Sequence, residues 1–127
     1  MTNEPFLEGE IFHRVVKPNY NWWVSKENRL SSAAFKDSHG LSVDRAANRS
    51  SEEVTNFLKQ HLPDGCAEII ISLAVCSSTQ SRIVSEPTLT NPFHMLILGE
   101  FKTELPNRAA KYFAEHCSHK LWDHPVQ

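Results

Sequence analysis

Two apolar runs in the second half of the sequence constrain the fold more than any other feature. The first covers residues 67–76 and carries apolar side chains at both odd and even positions, and the second covers 93–98. A run of this kind predicts a strand whose two faces are both covered. We therefore expect two central strands of one sheet, the second of which ends at Gly99.

Shorter segments complete the predicted sheet. They combine β-branched or aromatic residues with turn formers at their ends, and they lie at 10–17, 41–44 and 82–85. The segment 30–36 is interpreted as a further short strand or as one arm of an irregular hairpin. Residues 19–29, around the Trp22–Trp23 pair, show no regular period and predict an ordered loop.

Two helices are predicted from capping and spacing signals. Ser50 with Glu53 matches a capping box, and the apolar positions after it predict a helix that ends before Pro63. Apolar residues at helical spacing predict a second helix over 106–122. We expect an α+β fold, a two-layer domain in which two helices cover a mostly antiparallel sheet of four to six strands.

Length and composition predict one domain. The chain has 127 residues, of which 40% are hydrophobic and 22% charged, and this is ordinary globular usage. We expect residues 1–127 to form a single globular domain with frayed ends at 1–8 and 123–127. Because no apolar run has the length of a membrane span or a signal peptide, neither membrane insertion nor secretion is expected.

Charge and cysteine usage narrow the expected partners and compartment. The formal net charge is −2, whereas domains that bind nucleic acid by bulk electrostatics concentrate Lys and Arg, so nucleic acid is not an expected partner. Cys66, Cys76 and Cys117 are odd in number and widely spaced, which predicts free thiols in a reducing cytoplasm. We expect Cys76 and Cys117 to be small buried hydrophobes rather than reactive thiols.

His94 is the most unusual candidate for a functional side chain. It begins an otherwise apolar strand, directly after Asn91 and Pro92. Strand alternation puts His94 on the same face as Leu96 and Leu98. An imidazole in apolar surroundings suits a general base or a metal ligand. The alternative is that the ring only hydrogen-bonds a backbone carbonyl under the Pro92 loop.

Arg14 is a candidate for binding an anion. It follows His13 in the first predicted strand, and adjacent strand residues point to opposite faces, so only one of the two can line a given pocket. The guanidinium would grip a carboxylate or phosphate, or it would pair with Asp44 or Glu100 at a sheet edge.

A hydroxyl-rich segment supplies further candidates, Ser31, Ser32 and Ser42, close in sequence to Asp44. Serines become nucleophiles only beside a base, and the segment lacks a Gly-x-Ser-x-Gly elbow. The alternative is that these hydroxyls satisfy the backbone of turns. Trp22 could stack on a base or sugar, or it could anchor its loop in the core.

A histidine cluster near the C-terminus offers a possible metal site at His116, His119 and His124, since residues three apart lie on one side of a helix. The cluster has neither the His-Glu-x-x-His pattern nor a second ligand pair at zinc-finger spacing. We interpret it as a solvated polar face, and neither a metal nor a cofactor is predicted.

The order of three motifs resembles an uncharacterised family of small bacterial proteins. The motifs are Leu-Ser-Ser-Ala-Ala-Phe at 30–35, Leu-Ser-Val-Asp at 41–44, and Asn-Pro-Phe-His at 91–94 with a glycine beyond. This chain departs from the family pattern at Leu30, where proline is usual, and at Phe93, where alanine is usual. The resemblance implies a bacterial, cytoplasmic setting without an established activity. It also implies a shared site formed by Ser31, Ser32, Ser42, Asp44, Asn91 and His94.

Three functions are compatible with these features. The first is a binding or interaction domain for an unknown small molecule or protein, encoded on mobile DNA or beside defence genes, with a pocket lined by the serine and Asn-Pro-x-His segments. The second is a hydrolase or transferase acting on a phosphate-containing small molecule or nucleotide, with His94 as general base, Arg14 as anion clamp and Asp44 or a serine as orienter. The third is a structural homodimer, formed through an exposed strand edge or the Trp22–Trp23 loop.

Overall fold

In the computed structural model the chain folds around one six-stranded antiparallel sheet, and the structure describes residues 6–18 and 21–123. In chain order the elements are β1 (Ile11–Val16), β2 (Trp23–Val24), β3 (Arg29–Leu30), a 3₁₀ helix (Ser32–Phe35), β4 (Leu41–Arg45), α1 (Ser51–His61), β5 (Ala67–Ser72), α2 (Leu73–Ser78), β6 (Arg82–Ser85), β7 (His94–Leu98), α3 (Asn107–His116) and β8 (Ser118–Leu121). Among the described residues no helix has the length and apolar character needed to cross a bilayer.

The strands of the large sheet lie in the order β6-β7-β4-β1-β5-β8, and every neighbouring pair is antiparallel. A separate two-stranded ribbon pairs β2 with β3. The predicted α+β class, with a mostly antiparallel sheet, is confirmed. β6 and β8 form the two edges, and a homodimer that pairs either edge stays a prediction.

The two faces of the sheet are covered by different helices. Phe12 and Val16 of β1 point to the face beneath α3, which we call the α3 face. His13 and Val15 point to the opposite face, beneath α1, which we call the α1 face. The main core lies on the α3 face and includes Phe113. A smaller apolar cluster lies on the α1 face, so α1 covers part of that face.

Helix α1 begins and ends as its sequence predicts. The Ser50 side chain accepts a hydrogen bond from the Glu53 amide at 3.1 Å, and the Glu53 carboxylate accepts one from the Ser50 amide at 3.2 Å. This reciprocal pair is the predicted capping box. Val54 and Leu58 are buried against the sheet, and the helix ends two residues before Pro63. The helix therefore holds a fixed position over the α1 face.

Two serines explain where the sequence predictions of strands were wrong. The segment predicted as a strand at 30–36 forms the 3₁₀ helix, because the Ser31 side chain caps it by accepting a hydrogen bond from the Ala33 amide. The run at 67–76 was predicted as one strand, but β5 ends at Ser72. The Ser72 side chain accepts a hydrogen bond from the Val75 amide and begins α2. A local side-chain cap therefore outweighs the apolar pattern at both positions.

The helix predicted over 106–122 also ends early. α3 stops at His116, and the chain continues as β8, which pairs with β5 at four positions that include Ala67–Leu121. Leu121 follows Cys117 by four residues, a spacing that suits a helix but, being even, also suits one face of a strand. Periodicity alone cannot separate the two, and pairing with an otherwise open edge of β5 favours the strand.

The described cysteines are free, and all three contact the hydrophobic core. Burial raises the pKa of the Cys76 thiol to about 12. Burial, with a smaller contribution from Cys76, raises the pKa of Cys117 to about 12 as well. Both cysteines contact the core, as predicted from the sequence.

We expect Cys76 and Cys117 to react slowly with Ellman's reagent in the native protein at about pH 8, because the thiolate is the attacking form and a high pKa keeps it scarce. Over the mildly alkaline range in which the reagent is stable, the rate should rise with pH as the thiolate fraction grows. In guanidinium, which unfolds the chain, all three thiols should react at the rate of free cysteine. Rapid labelling of all three thiols in the native protein would contradict this expectation.

Candidate functional site

A cavity of about 300 Å³ lies on the α1 face, between the C-terminal half of α1 and the 86–93 loop. Ser42 and Asp44 reach it from β4, Asn91 from the loop, and His94 from the first position of β7. Asp44 and His94 are directly opposite each other in the β4–β7 ladder. The structure therefore brings together four side chains that the sequence analysis singled out from two distant segments.

The cavity opens where the ladder between β1 and β4 ends. Within the described chain the last residue pair of this ladder is His13–Asp44, although both strands continue past it. The same register would place Val15 opposite Ser42, but these two residues do not pair with each other, and both line the cavity. Arg14 reaches from the α3 face and donates through Nη1 to the Ser42 carbonyl at 3.2 Å. Its guanidinium thus binds a carbonyl near the point where the strands separate.

Asp44 is the buried carboxylate of the site, with 3% of its surface exposed. Its Oδ1 accepts a hydrogen bond from Asn91 Nδ2 at 2.7 Å. Its Oδ2 lies 3.6 Å from Arg49 Nη2 and has no hydrogen-bond partner among the described residues. Asn91 Oδ1 in turn accepts a hydrogen bond from the Phe93 amide at 3.0 Å. Asn91 therefore fixes the loop to the carboxylate.

Arg49 is the counter-ion of Asp44 and lies outside the cavity lining. Its guanidinium carbon is 3.7 Å from the centre of the Phe93 ring and 5.4 Å from that of Phe57, and its Nη2 donates to the Arg45 carbonyl at 2.6 Å. Burial lowers the pKa of Arg49, and the negative charge of Asp44 opposes that change. These contacts hold Arg49 as a structural cation.

His94 makes the backbone hydrogen bond of the structural alternative and also lines the cavity, and its role as a general base or metal ligand stays a prediction. Its Nδ1 donates to the Glu86 carbonyl at 2.9 Å, and the same nitrogen lies 3.3 Å from Glu86 Oε1. In a neutral ring with its proton on Nδ1, Nε2 is the acceptor. Within the described chain no hydrogen bond is made to Nε2. This atom can therefore accept a proton or a hydrogen bond from a ligand.

Replacing His94 with alanine should lower the free energy of unfolding by about 0.5–1.5 kcal/mol, because one partly exposed hydrogen bond is lost and no buried charge is stranded. Urea unfolding of the variant measures the change. His39→Ala is the control, since that side chain is 94% exposed and should change stability little. A loss above about 3 kcal/mol would show that the ring is a core element rather than part of an open site.

Of the adjacent pair in β1, His13 lines the cavity and Arg14 does not. His13 is 2% exposed, and its Nδ1 lies 3.6 Å from Glu68 Oε1 without making a hydrogen bond in the described chain. Burial acts to raise the pKa of Glu68, but the contacts with His13 and Thr55 and the charges of His13 and Lys120 outweigh it and hold that pKa below its usual value. A carboxylate anion therefore lies beside the histidine at neutral pH.

His61 connects α1 to the 86–93 loop across the cavity. Its two ring nitrogens lie 3.3 Å from the Phe57 carbonyl and 3.1 Å from the Thr90 carbonyl. The ring also stacks on Phe57 with centroids 4.0 Å apart. Thr88 and Thr90 add two hydroxyls to the lining on the loop side. The loop is therefore tied to the helix above the site.

Arg14, Ser31 and Ser32 do not line the cavity. Arg14 Nε donates to the Ala34 carbonyl at 3.1 Å, so its guanidinium is bound to backbone on the α3 face. Ser31 caps the 3₁₀ helix, and Ser32 is exposed in its first turn. Ser31 follows the turn-capping alternative, and the anion clamp foreseen for Arg14 has no place in the cavity. Of the hydroxyl segment, only Ser42 with Asp44 reaches the site.

The aromatic and histidine candidates lie elsewhere. Trp22 packs against the core, with ring centroids 5.6 Å from Trp23 and 6.0 Å from His119. His116 is stacked on Tyr112 at the end of α3. His124 lies outside the described residues. Among the residues that the structure describes, no group of three potential ligands could hold a metal ion.

A larger depression of about 480 Å³ lies beside the start of α3, and its lining includes Lys36, Arg108 and the exposed Phe101. None of its described lining residues carries a buried polar atom without a hydrogen bond. His13 and Asp44, in the 300 Å³ cavity, both do. Buried polar atoms without partners are rare in native proteins and call for an explanation, so we take the smaller cavity as the site.

Two lining histidines were not among the predicted site residues. His61 follows Val54 and Leu58 at helical spacing, so the pattern that predicted α1 already placed it on the inward side. His13 had no comparable signal, because the choice between it and Arg14 depends on which face of β1 meets the cavity. That choice requires the register with β4.

The fold and the site define an α+β domain with a polar cavity on one face of an antiparallel sheet. Comparison with protein-family models, curated proteins and solved structures found no match for this chain. The resemblance to a family of small bacterial proteins therefore rests on its three motifs and stays a prediction.

Proposed function

We propose that the protein binds a small polar molecule in the cavity on the α1 face. The observation that carries the proposal is the convergence of Ser42, Asp44, Asn91 and His94, from separate segments, around one concave space of about 300 Å³. This volume lies at the lower end of the range for ligand pockets, so a compact ligand fits.

The make-up of the lining supports a ligand site rather than a packing defect. Val15, Leu58 and Leu62 supply apolar surface, and polar groups converge from β4, β7, α1 and the 86–93 loop. Ligand pockets commonly combine apolar walls with a few convergent polar groups. Cavities that stay empty in native proteins are apolar, whereas a polar lining calls for an occupant such as water or a ligand.

The test is a thermal-shift screen of small polar compounds, followed by two matched variants. Leu62 lines the cavity and is 38% exposed, whereas Leu121 is 66% exposed on β8 and does not line it. We expect a compound that raises the melting temperature of the wild type to do the same in Leu121→Trp and to lose its effect in Leu62→Trp, where the indole fills the cavity. An equal shift in both variants would place the ligand elsewhere and overturn the proposal.

A second candidate function, acid–base catalysis by His94, is favoured by one specific observation. The hydrogen bond from Nδ1 to the Glu86 carbonyl orients the ring and leaves Nε2 to take a proton from a bound substrate. In a hydrolase, Nε2 would take a proton from water as the water oxygen attacks, and the ring would return it to the leaving group. Asp44, opposite His94 in the ladder, would be the orienting carboxylate.

Turnover of activated esters would test the catalytic candidate. Hydrolysis of p-nitrophenyl acetate above the buffer rate should be lost in His94→Ala and kept in His39→Ala if the ring acts as base. Equal rates in the two variants would remove His94 from any such activity and leave binding as the function.

A further inference from the structure

We infer that the cavity selects a small organic cation of the amidine or amine type and rejects carboxylate and phosphate groups. The inference rests on the proposed function and names the ligand class of that same site. It replaces the phosphate-containing substrate that the sequence analysis offered.

The first argument is the charge of the lining. Among the described residues neither lysine nor arginine lines the cavity, and its one carboxylate is Asp44. Arg49, the counter-ion of Asp44, already donates to the Arg45 and Ala46 carbonyls. Anion sites in proteins depend on guanidinium, ammonium or convergent backbone N–H donors. An entering carboxylate would meet Asp44 without such a donor set.

The second argument is the environment of His94. Glu86 Oε1 lies 3.3 Å from His94 Nδ1, and the Glu86 side chain is 53% exposed, so a second carboxylate stands beside the lining. A ligand at the β4–β7 end therefore meets two carboxylates, Asp44 in the lining and Glu86 beside it, of which Asp44 has Arg49 as its counter-ion. Like-charge contacts of this kind are a means of excluding wrong partners.

The third argument concerns the hydrogen-bonding capacity of the imidazoles. The ring nitrogens of His61 face the carbonyl oxygens of Phe57 and Thr90, and Nδ1 of His94 faces that of Glu86. Each neutral ring carries one N–H, and these positions direct it at backbone and not at a ligand. His94 Nε2 remains as an acceptor, which matches an N–H donor on the ligand. An amidine or amine supplies both the donor and the positive charge.

The experiment uses three probes of nearly equal size and shape that differ in charge: benzamidine, benzamide and benzoate. Titration of the protein is followed through the Cε1–H signal of His94 by NMR. We expect benzamidine to bind most tightly, benzamide more weakly, and benzoate at least about tenfold more weakly than benzamidine, a difference of about 1.4 kcal/mol. Inorganic phosphate should not move the His94 signal at the same concentration.

Two variants connect the preference to the site. Glu86→Gln removes a largely exposed charge and keeps a side chain of the same size, so we expect it to fold and to reduce the affinity ratio of benzamidine to benzoate by about threefold or more. Glu115→Gln on α3, on the opposite side of the sheet, is the control and should leave the ratio unchanged. Equal ratios in both variants would overturn the assignment of the preference to this cavity.

The outcomes separate the inference from the proposed function. If benzoate or phosphate binds at His94 as tightly as benzamidine does, the inference is overturned while binding in the cavity stands. If none of the probes moves the His94 signal and the screened compounds do not act through Leu62, the proposed function itself fails.

Discussion

Replacement of Arg45 by methionine is expected to lower the free energy of unfolding by about 3–5 kcal/mol, because it strands the Glu10 carboxylate in the interior. Arg45 Nε donates to Glu10 Oε1 at 2.9 Å, and both side chains are almost fully buried. The Ala47 amide donates to Glu10 Oε2 at 2.8 Å and does not supply a compensating charge. Urea unfolding at neutral pH measures the loss.

Two further variants make this expectation falsifiable. In the double variant Arg45→Met with Glu10→Gln the stranded charge is absent, so part of the lost stability should return. Lys17→Met removes a cation from an exposed pair with Asp64 at 3.1 Å and should cost less than about 1 kcal/mol. A loss in Arg45→Met no larger than that in Lys17→Met would contradict the burial argument.

Replacement of Asn91 by alanine is expected to cost about 2–4 kcal/mol. It removes the 2.7 Å hydrogen bond to the buried Asp44 carboxylate and the 3.0 Å hydrogen bond from the Phe93 amide. It should also weaken any ligand found in the cavity, because the loop loses its attachment to β4. Thermal or urea unfolding, with ligand titration on the same sample, measures both effects.

Asn56→Ala is the matched control for that variant, since Asn56 is exposed on α1 and alanine suits a helix. It should leave stability unchanged or slightly raised. A comparable loss in the two variants would show that the Asn91–Asp44 contact does not hold the site together.

The parts of the fold that follow local rules could be predicted from the sequence. The Ser50 capping box and the turn at Pro63 set the limits of α1, and the apolar run at 93–98 predicted β7. The errors arose where two rules compete. Ser31 and Ser72 cap helical turns inside segments that read as strands, and the spacing from Cys117 to Leu121 fits both a helix and a strand.

Four of the lining residues of the candidate site were predicted from the sequence, and Arg14 was wrongly placed among them. Ser42, Asp44, Asn91 and His94 meet because β4 and β7 are neighbours, and their strand parity puts the polar residues on one face. Arg14 was expected in the same pocket, but the register of β1 sends it to the α3 face. A one-residue change of strand register moves every side chain of the strand to the opposite face of the sheet. The pairing register of β1 with β4 cannot be read from a single sequence, so the face of Arg14 could not be predicted.

The most direct test of the central claim is an NMR experiment on protein labelled at its histidine rings, with a compound found in the screen. The ring signals of the histidines that line the cavity, His13, His61 and His94, should shift on binding. The ring signals of the described histidines that do not line it should not shift; these are His39, His116 and His119. Shifts confined to the second group, with the first unchanged, would contradict the assignment of the cavity as the binding site.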